Sequence, residues 1–276
     1  MLLSRYIKLH LRLVELIFDQ IALKCDGSAF VVLMNFYCFL VGSKARFSYD
    51  TVNKEYSFSD GGDENILVFR HKKRALIYRH GLLNRIDLLA SEYLLSLVPF
   101  TDGDTVLDCG ANIGELSLWF KLKGLTVNYI GFEPSPLEFL SLQKNVAPSI
   151  VHNLGLWNES GELDFYVASQ TADSSLIEPS NYDEIVTVQT VRLETFVNER
   201  IRFLKLEAEG AEPEILEGLG ESLKYIEFIC ADLGFERGKN SESTLAPVTN
   251  FLLNHGFSLL EVSYPRVTAM FKNNRY

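Results

Sequence analysis

Apolar and polar positions change rhythm along this chain of 276 residues. Residues 3–23 repeat apolar side chains at helical spacing (Leu3, Tyr6, Ile7, Leu11, Val14, Ile17, Ile21) with charge on the other side, which predicts an amphipathic helix. The next run, FVVLMNFYCFLVG over 30–42, is almost wholly apolar and bounded by Asp26 and Lys44. At about 13 residues it falls short of the roughly 20 that span a bilayer, so it predicts a buried helix. Residues 46–80 alternate and break at Asp60-Gly61-Gly62-Asp63, as short strands with tight turns do. Residues 84–98 read as one more helix, stopped by Pro99 and the turn that follows it.

After Thr101 the rhythm becomes strands alternating with helices. The pattern predicts strands at 104–109, 127–133, 150–157, 201–207 and 225–232, and helices at 113–123, 136–146, 211–220 and 243–255. Such alternation implies a parallel sheet covered on both faces. Two last strands, 257–263 and 267–272, are joined only by Tyr264-Pro265-Arg266, and so short a link forces an antiparallel hairpin. The chain thus divides into residues 1–100, helical with short strands, and an α/β domain over 101–276.

Composition narrows the setting. With 47% hydrophobic and 22% charged residues this is an ordinary globular chain. A formal charge of −10 and an isoelectric point near 5.1 argue against nucleic acid as a partner, since phosphate backbones are held by Lys/Arg-rich surfaces. Cys25, Cys38, Cys109 and Cys230 lack metal-type spacing and read as buried thiols of a reducing, cytoplasmic protein. No cleavable signal peptide is apparent, because charged residues run through the whole of 1–23.

Candidate chemistry begins at TVLDCGANIGELSL, residues 105–118, where a strand runs into Asp108, then Gly110 and Gly114, then a helix. A turn of that kind at the carboxyl end of the first strand is where open α/β sheets bind ligands. A dinucleotide site wants a glycine where Asn112 stands, and no phosphate-loop Gly-Lys-Ser/Thr is present. S-adenosylmethionine fits better: Asp108 could receive its ammonium end, directly or through water, while Gly110, Asn112 and Gly114 let the backbone approach its methionine part. Glu133, followed by Pro134 in GFEPSP, lies 19 residues beyond Gly114. That is about where an acid accepts both ribose hydroxyls in nucleoside-binding βαβ units. Asn153, near the end of the third strand, is placed to approach the adenine. In FLKLEAEGAEPEIL, residues 203–216, alternation sends Lys205, Glu207 and Glu209 to one side of a strand. Charges there are costly unless paired or functional, and cheapest at the carboxyl end. Glu212 and Glu214, flanking Pro213, favour the positive end of the following helix.

DCGANIGE (108–115), FEPSP (132–136), SSL (174–176) and LKLEAEGAEPEIL (204–216) together resemble the FkbM family of S-adenosylmethionine-dependent O-methyltransferases, in order and spacing over roughly residues 100–272. The resemblance implies a class I methyltransferase fold, Rossmann-like, with a mostly parallel sheet and an antiparallel C-terminal hairpin. It implies methyl transfer to a hydroxyl of a sugar, glycan, macrolide or other polyol, glycolipids included. The family usually carries Asp where this chain has Glu207, and many members carry Glu where it has Asp232.

Glu207 and Asp232, at the ends of adjacent strands, could act as general base or hold a divalent cation, Mg²⁺ or Mn²⁺, that acidifies the hydroxyl. Lys205 could orient the carboxylate or stabilise the developing alkoxide. His80, read as following a strand, and His152, read as lying within a core strand, pair with no third group and read as structural. A scaffold protein that has lost the chemistry, or a nicotinamide-dependent reductase, would be the rival readings; intact Asp108, Gly110, Gly114 and Glu133 speak against the first and Asn112 against the second. Residues 1–42 read as an appended element that packs on the catalytic domain or on a second subunit, and its basic amphipathic start could touch the inner membrane face.

Overall fold

The computed structural model describes residues 15–62, 67–168, 174–264 and 266–276. The first part of the expected 3–23 helix, residues 3–14, therefore lies outside the described residues, as do Asp63 of the expected turn and Pro265 of the C-terminal hairpin. The chain divides into two compact units, residues 1–85 and residues 86–276.

In the first unit, α1 (15–22) and α2 (Gly27–Leu40) precede an antiparallel sheet of β1 (Arg46–Asp50), β2 (Glu55–Ser59) and β3 (Leu67–Phe69), in that order, followed by α3 (Arg74–Tyr78). Its core is aromatic: Phe58 stacks on Tyr78 with ring centroids 5.1 Å apart, and Phe30 meets Tyr56 edge-on at 5.6 Å. The expected buried helix is only half buried. Phe30, Val31, Met34, Tyr37 and Cys38 face inward at helical spacing, whereas Val32, Phe36, Phe39 and Leu40 are exposed, because one side of a helix can pack on one layer. Among the described residues no helix is long and apolar enough to cross a membrane. His80 follows α3 rather than a strand, which corrects the alternation reading of that stretch, and lies 3.5 Å from Glu15.

The second unit begins within α4 (Leu82–Glu92), which forms where one helix was expected over 84–98; a short 3₁₀ turn follows at Leu95–Leu97. Then come β4 (Thr105–Cys109), α5 (Glu115–Leu122), β5 (Asn128–Phe132), α6 (Pro136–Asn145) and β6 (Ile150–His152). A separate three-stranded sheet follows, in the order β7–β9–β8, from β7 (Gly155–Leu156), β8 (Gly161–Val167) and β9 (Glu184–Val191). The chain returns through β10 (Ile201–Leu206), α7 (Glu212–Leu219), β11 (Ile226–Asp232), α8 (Leu245–Asn254), β12 (Phe257–Ser263) and β13 (Thr268–Asn273).

These strands form a seven-stranded sheet in the order β12–β13–β11–β10–β4–β5–β6, in which β13 alone runs against the others. This is the class I methyltransferase arrangement, with the expected C-terminal hairpin at one edge. The central strands are apolar runs because both faces are covered: Leu107, Leu204, Leu206, Ile229 and Ala231 share one core with Ile215, Leu216 and Leu252 of the helices. The stretch expected as one strand over 150–157 is two, with β6 at the edge of the large sheet and β7 in the small one. His152, expected in a core strand, thus ends an edge strand.

Candidate active site

The site is built where β4, β5, β10 and β11 end. Asp108 of β4 and Lys205 of β10 are register partners, so their side chains leave the same face of the sheet. Asp108 is 1% exposed and Lys205 4%. The Lys205 ammonium lies 3.0 Å from Asp108 Oδ1, 2.8 Å from Glu207 Oε2 and 2.9 Å from the Gly110 carbonyl. The second Asp108 oxygen accepts from the Tyr129 hydroxyl at 2.6 Å. Burial pushes the Asp108 carboxyl above its usual range while Lys205 and Tyr129 pull it back. Burial would lower the Lys205 ammonium, but Asp108 and Glu207 outweigh it and hold the ammonium charged. Both Asp108 oxygens are thus engaged inside the protein, and its part in the turn runs through Lys205 and Tyr129.

Gly110 answers to the same crowding. Its φ is +71° and a Cβ would stand 1.9 Å from the Glu207 carbonyl oxygen, so only glycine lets β10 pass this close to the turn. At Gly114, φ +91°, a Cβ would stand 2.3 Å from Val146 Cγ1, against the chain that leaves α6. Asn112 also takes a left-handed φ, +51°, and its N–H donates to Glu133 Oε2 at 2.8 Å. The other Glu133 oxygen accepts the Ser135 N–H at 2.9 Å. Two backbone donors on the glycine turn and on the chain beyond β5 therefore orient this carboxylate in advance, and a carboxylate can accept several bonds at once. Asn153 donates to the Glu133 and Pro134 carbonyls at 2.8 and 3.0 Å, tying the end of β6 to the end of β5. His152 stacks on Phe132 with centroids 5.3 Å apart, and burial lowers its imidazole pKa.

Sequence reasoning missed the residue that joins the candidate catalytic groups. Arg266, just before β13, donates from Nη2 to Glu207 and from Nε to Asp232. Its position as the last residue of the three-residue link was the available signal, since that link returns the chain to the carboxyl end of β11. Tyr93, buried, lies beneath both cations, with Lys205 Nζ 5.2 Å and Arg266 Cζ 5.8 Å from its ring centroid. Of the two roles open to Glu207 and Asp232 on the sequence, base or divalent-cation site, the second does not suit this arrangement, because a guanidinium already bridges them. Among the described residues no three His, Cys, Asp or Glu side chains come together as metal ligands.

The two carboxylates differ in basicity. Burial would raise Glu207, but Lys205 and Arg266 overcome it and hold the carboxyl at about 2. Burial raises Asp232, and Arg266 only partly offsets that. The other Asp232 oxygen accepts the Gly234 N–H at 3.1 Å. Glu209 leaves the expected alternation because β10 ends at Leu206; it takes φ +51°, and its carbonyl accepts the Ser175 hydroxyl at 2.8 Å. The SSL segment thereby braces the turn between β10 and α7. Glu212 is buried and caps that same turn, accepting from the Ala208 and Gly210 N–H groups at 2.9 and 3.2 Å. Glu214 pairs with Arg237 at 2.6 Å.

Comparison with known proteins finds methyltransferases. A "Methyltransferase 1" of Beauveria bassiana is 27% identical over 154 residues, covering 45% of this chain and 62% of the relative. The 31-O-demethyl-FK506 methyltransferase FkbM of Streptomyces tacrolimicus is 24% identical over 63% of this chain and 80% of its own. The hexuronic acid methyltransferase AglP of Haloferax volcanii is 26% identical over 50% and 59%. The chain thus spans less than two thirds of the Beauveria and Haloferax relatives. The model of the methyltransferase FkbM domain matches residues 108–259, more than half of the chain, from the aspartate of the glycine turn into the C-terminal hairpin: this protein belongs to the FkbM methyltransferase family and uses S-adenosylmethionine.

Proposed function

We propose that this chain transfers the methyl group of S-adenosylmethionine to a hydroxyl oxygen of a sugar, glycan or related polyol. The observation that carries the reading is the ionic chain Asp108–Lys205–Glu207–Arg266–Asp232, buried at Asp108, Lys205 and Asp232 and half-buried between, which brings a carboxylate of raised pKa to the strand ends next to the cofactor turn. When bound, the cofactor supplies a methyl group on a sulfonium, already electrophilic, so the protein's work is positioning and removal of one proton. Glu133, held by two backbone donors, takes the ribose hydroxyls. The main chain of 110–114 holds the methionine part, and Pro134 and Asn153 border the adenine. Asp108 and Lys205 fix the turn from behind.

Asp232 takes the hydroxyl proton once the acceptor displaces one of the two donors, Arg266 and the Gly234 N–H, that hold its buried oxygens. A base works best when its pKa approaches the working pH, and Glu207, held at about 2, is too weak a base for that task. Glu207 and Arg266 instead orient Asp232 and the approaching hydroxyl. Asp232 would hold that proton while the acceptor oxygen receives the methyl group the cofactor would supply, with S-adenosylhomocysteine as the second product. Two relatives, one named for a 31-O-demethyl compound and one for a hexuronic acid, are in keeping with an oxygenated acceptor. Residues 1–85, the first compact unit and most of the 1–100 stretch read from the sequence, act as an element appended to the methyltransferase domain. The exposed stripe Val32, Phe36, Phe39 and Leu40 supports a peripheral contact of residues 1–42 with the cytoplasmic face of a membrane that carries glycolipid acceptors.

The test is turnover with labelled S-adenosylmethionine against a panel of glycans and glycolipids. The expected product gains one methylene unit and a methoxy resonance. Cofactor binding without methyl transfer to any hydroxyl would favour the scaffold reading instead.

A further inference from the structure

Two large aromatic side chains stand exposed beside the candidate catalytic groups. Phe235, three residues beyond Asp232, is 68% exposed; Tyr264, two residues before Arg266, is 73% exposed. Their segments belong together. Asp232 and Thr268 are register partners, and the Leu233 N–H donates to the Val267 carbonyl at 2.8 Å. Arg266 binds Asp232 from one segment to the other. Both aromatics therefore sit on linked loops at the carboxyl edge of the sheet, within four residues of that register pair. Neither contributes to the core, and an exposed apolar surface rimmed by polar groups is one mark of a ligand-binding site.

The charge at this edge restricts what such rings would take. Asp108 and Glu207 balance Lys205 and Arg266 in charge, and burial raises the neighbouring carboxyls of Asp232 and Glu236, the latter to about 7. Both cations are already paired with carboxylates of the protein, so an acceptor's own carboxylate would find no open cationic partner in this cluster. A neutral sugar ring instead offers one flat face of C–H groups to an aromatic surface and hydroxyls to the carboxylates and guanidinium. We propose that Phe235 and Tyr264 form the acceptor platform and that it takes the apolar face of a neutral pyranose ring. This rests on the methyl-transfer reading above and narrows its substrate class.

Saturation-transfer NMR on the full chain, with S-adenosylhomocysteine present, tests it with methyl β-D-glucopyranoside, methyl β-D-galactopyranoside and methyl β-D-glucuronide as probes. Transfer to ring C–H protons of at least one neutral glycoside is expected. Phe235→Ala and Tyr264→Ala should each weaken that glycoside's binding by about three- to tenfold, while Tyr264→Phe keeps it, as expected for an aromatic contact. Both side chains are exposed, so the variants should fold, and an unchanged thermal shift with S-adenosylhomocysteine checks this. No transfer to either neutral glycoside, or equal transfer in the alanine variants, overturns the platform. Stronger transfer to the glucuronide overturns the neutral class. Failure of S-adenosylhomocysteine to bind the unmodified chain would strike the methyl-transfer reading itself, while the glycoside signals still decide the platform.

Discussion

Replacing Lys205 by Met tests whether the ionic chain is what holds the turn and the strand ends together. Methionine keeps much of the side-chain volume and removes the charge. It leaves Asp108, 1% exposed, and Glu207 without the cation 3.0 and 2.8 Å away. Removing one partner of a buried pair costs about 3–5 kcal/mol, because the other charge remains desolvated. Glu207 gives an independent figure. Holding its carboxyl at about 2 rather than the ordinary 4.5 is worth about 3 kcal/mol, shared between Lys205 and Arg266. Against a total stability of about 5–15 kcal/mol, that is a large loss. With m near 3 kcal/mol/M, the urea midpoint should fall by about 1 M or more. The assay is tryptophan fluorescence, since Trp119 and Trp157, the two tryptophans of the chain, both lie in the larger unit. The pH dependence has a definite sign. In Lys205→Met, burial acts unopposed by that cation and drives the folded Asp108 pKa further above its unfolded value, so the folded state binds the extra proton. Stability of the variant then falls as pH rises through that window, and its deficit against the unmodified chain should be smaller at pH 5 than at pH 7. A midpoint within 0.2 M (about 0.6 kcal/mol at that slope) of the unmodified chain at pH 7 would refute the reasoning.

Three further outcomes follow from the same geometry. Glu133→Ala should weaken S-adenosylmethionine binding by about 1–3 kcal/mol in calorimetry, through the ribose hydroxyls and through the Asn112 and Ser135 N–H groups, which lose their bonds to Glu133. Gly110→Ala should unfold at a much lower temperature than Gly103→Ala: both have positive φ, but the added Cβ meets the Glu207 carbonyl at 1.9 Å in the first and nothing within 4 Å in the second. Asp232→Asn should cut turnover by roughly 10²–10⁴-fold with little change in cofactor affinity, and the acidic limb of the kcat/KM profile, set by a carboxyl raised by burial, should disappear with it.

Much of this architecture is legible in the sequence because its signals are local. The strand–turn–helix at 105–122, the acid ending β5 and the three-residue hairpin link each have a short-range physical cause, and the seven-stranded sheet follows from their order. The small sheet of β7, β8 and β9 was not legible. Glu162, Asp164 and Tyr166 of β8 share alternating positions on one side, but the strand's partner, β9, starts 17 residues beyond its end, and only the tertiary pairing reveals it. The site shows the same division. Lys205, Glu207 and Asp232 stand out as charges in apolar strands, whereas Arg266 acts through a contact 59 residues from Glu207 and sits in a turn where any arginine reads as solvated. The outer stripe of α2 marks the opposite limit, since an all-round apolar run does not say which side is covered.

The most direct measurement is a crystal structure of the chain with S-adenosylhomocysteine. Ribose hydroxyls are expected on Glu133, the methionine part along the 110–114 backbone, and the sulfur toward the Glu207–Arg266–Asp232 cluster, with Lys205 still bonded to Asp108. A ligand seated elsewhere, or bound at the turn with its sulfur directed away from Asp232, would contradict this placement.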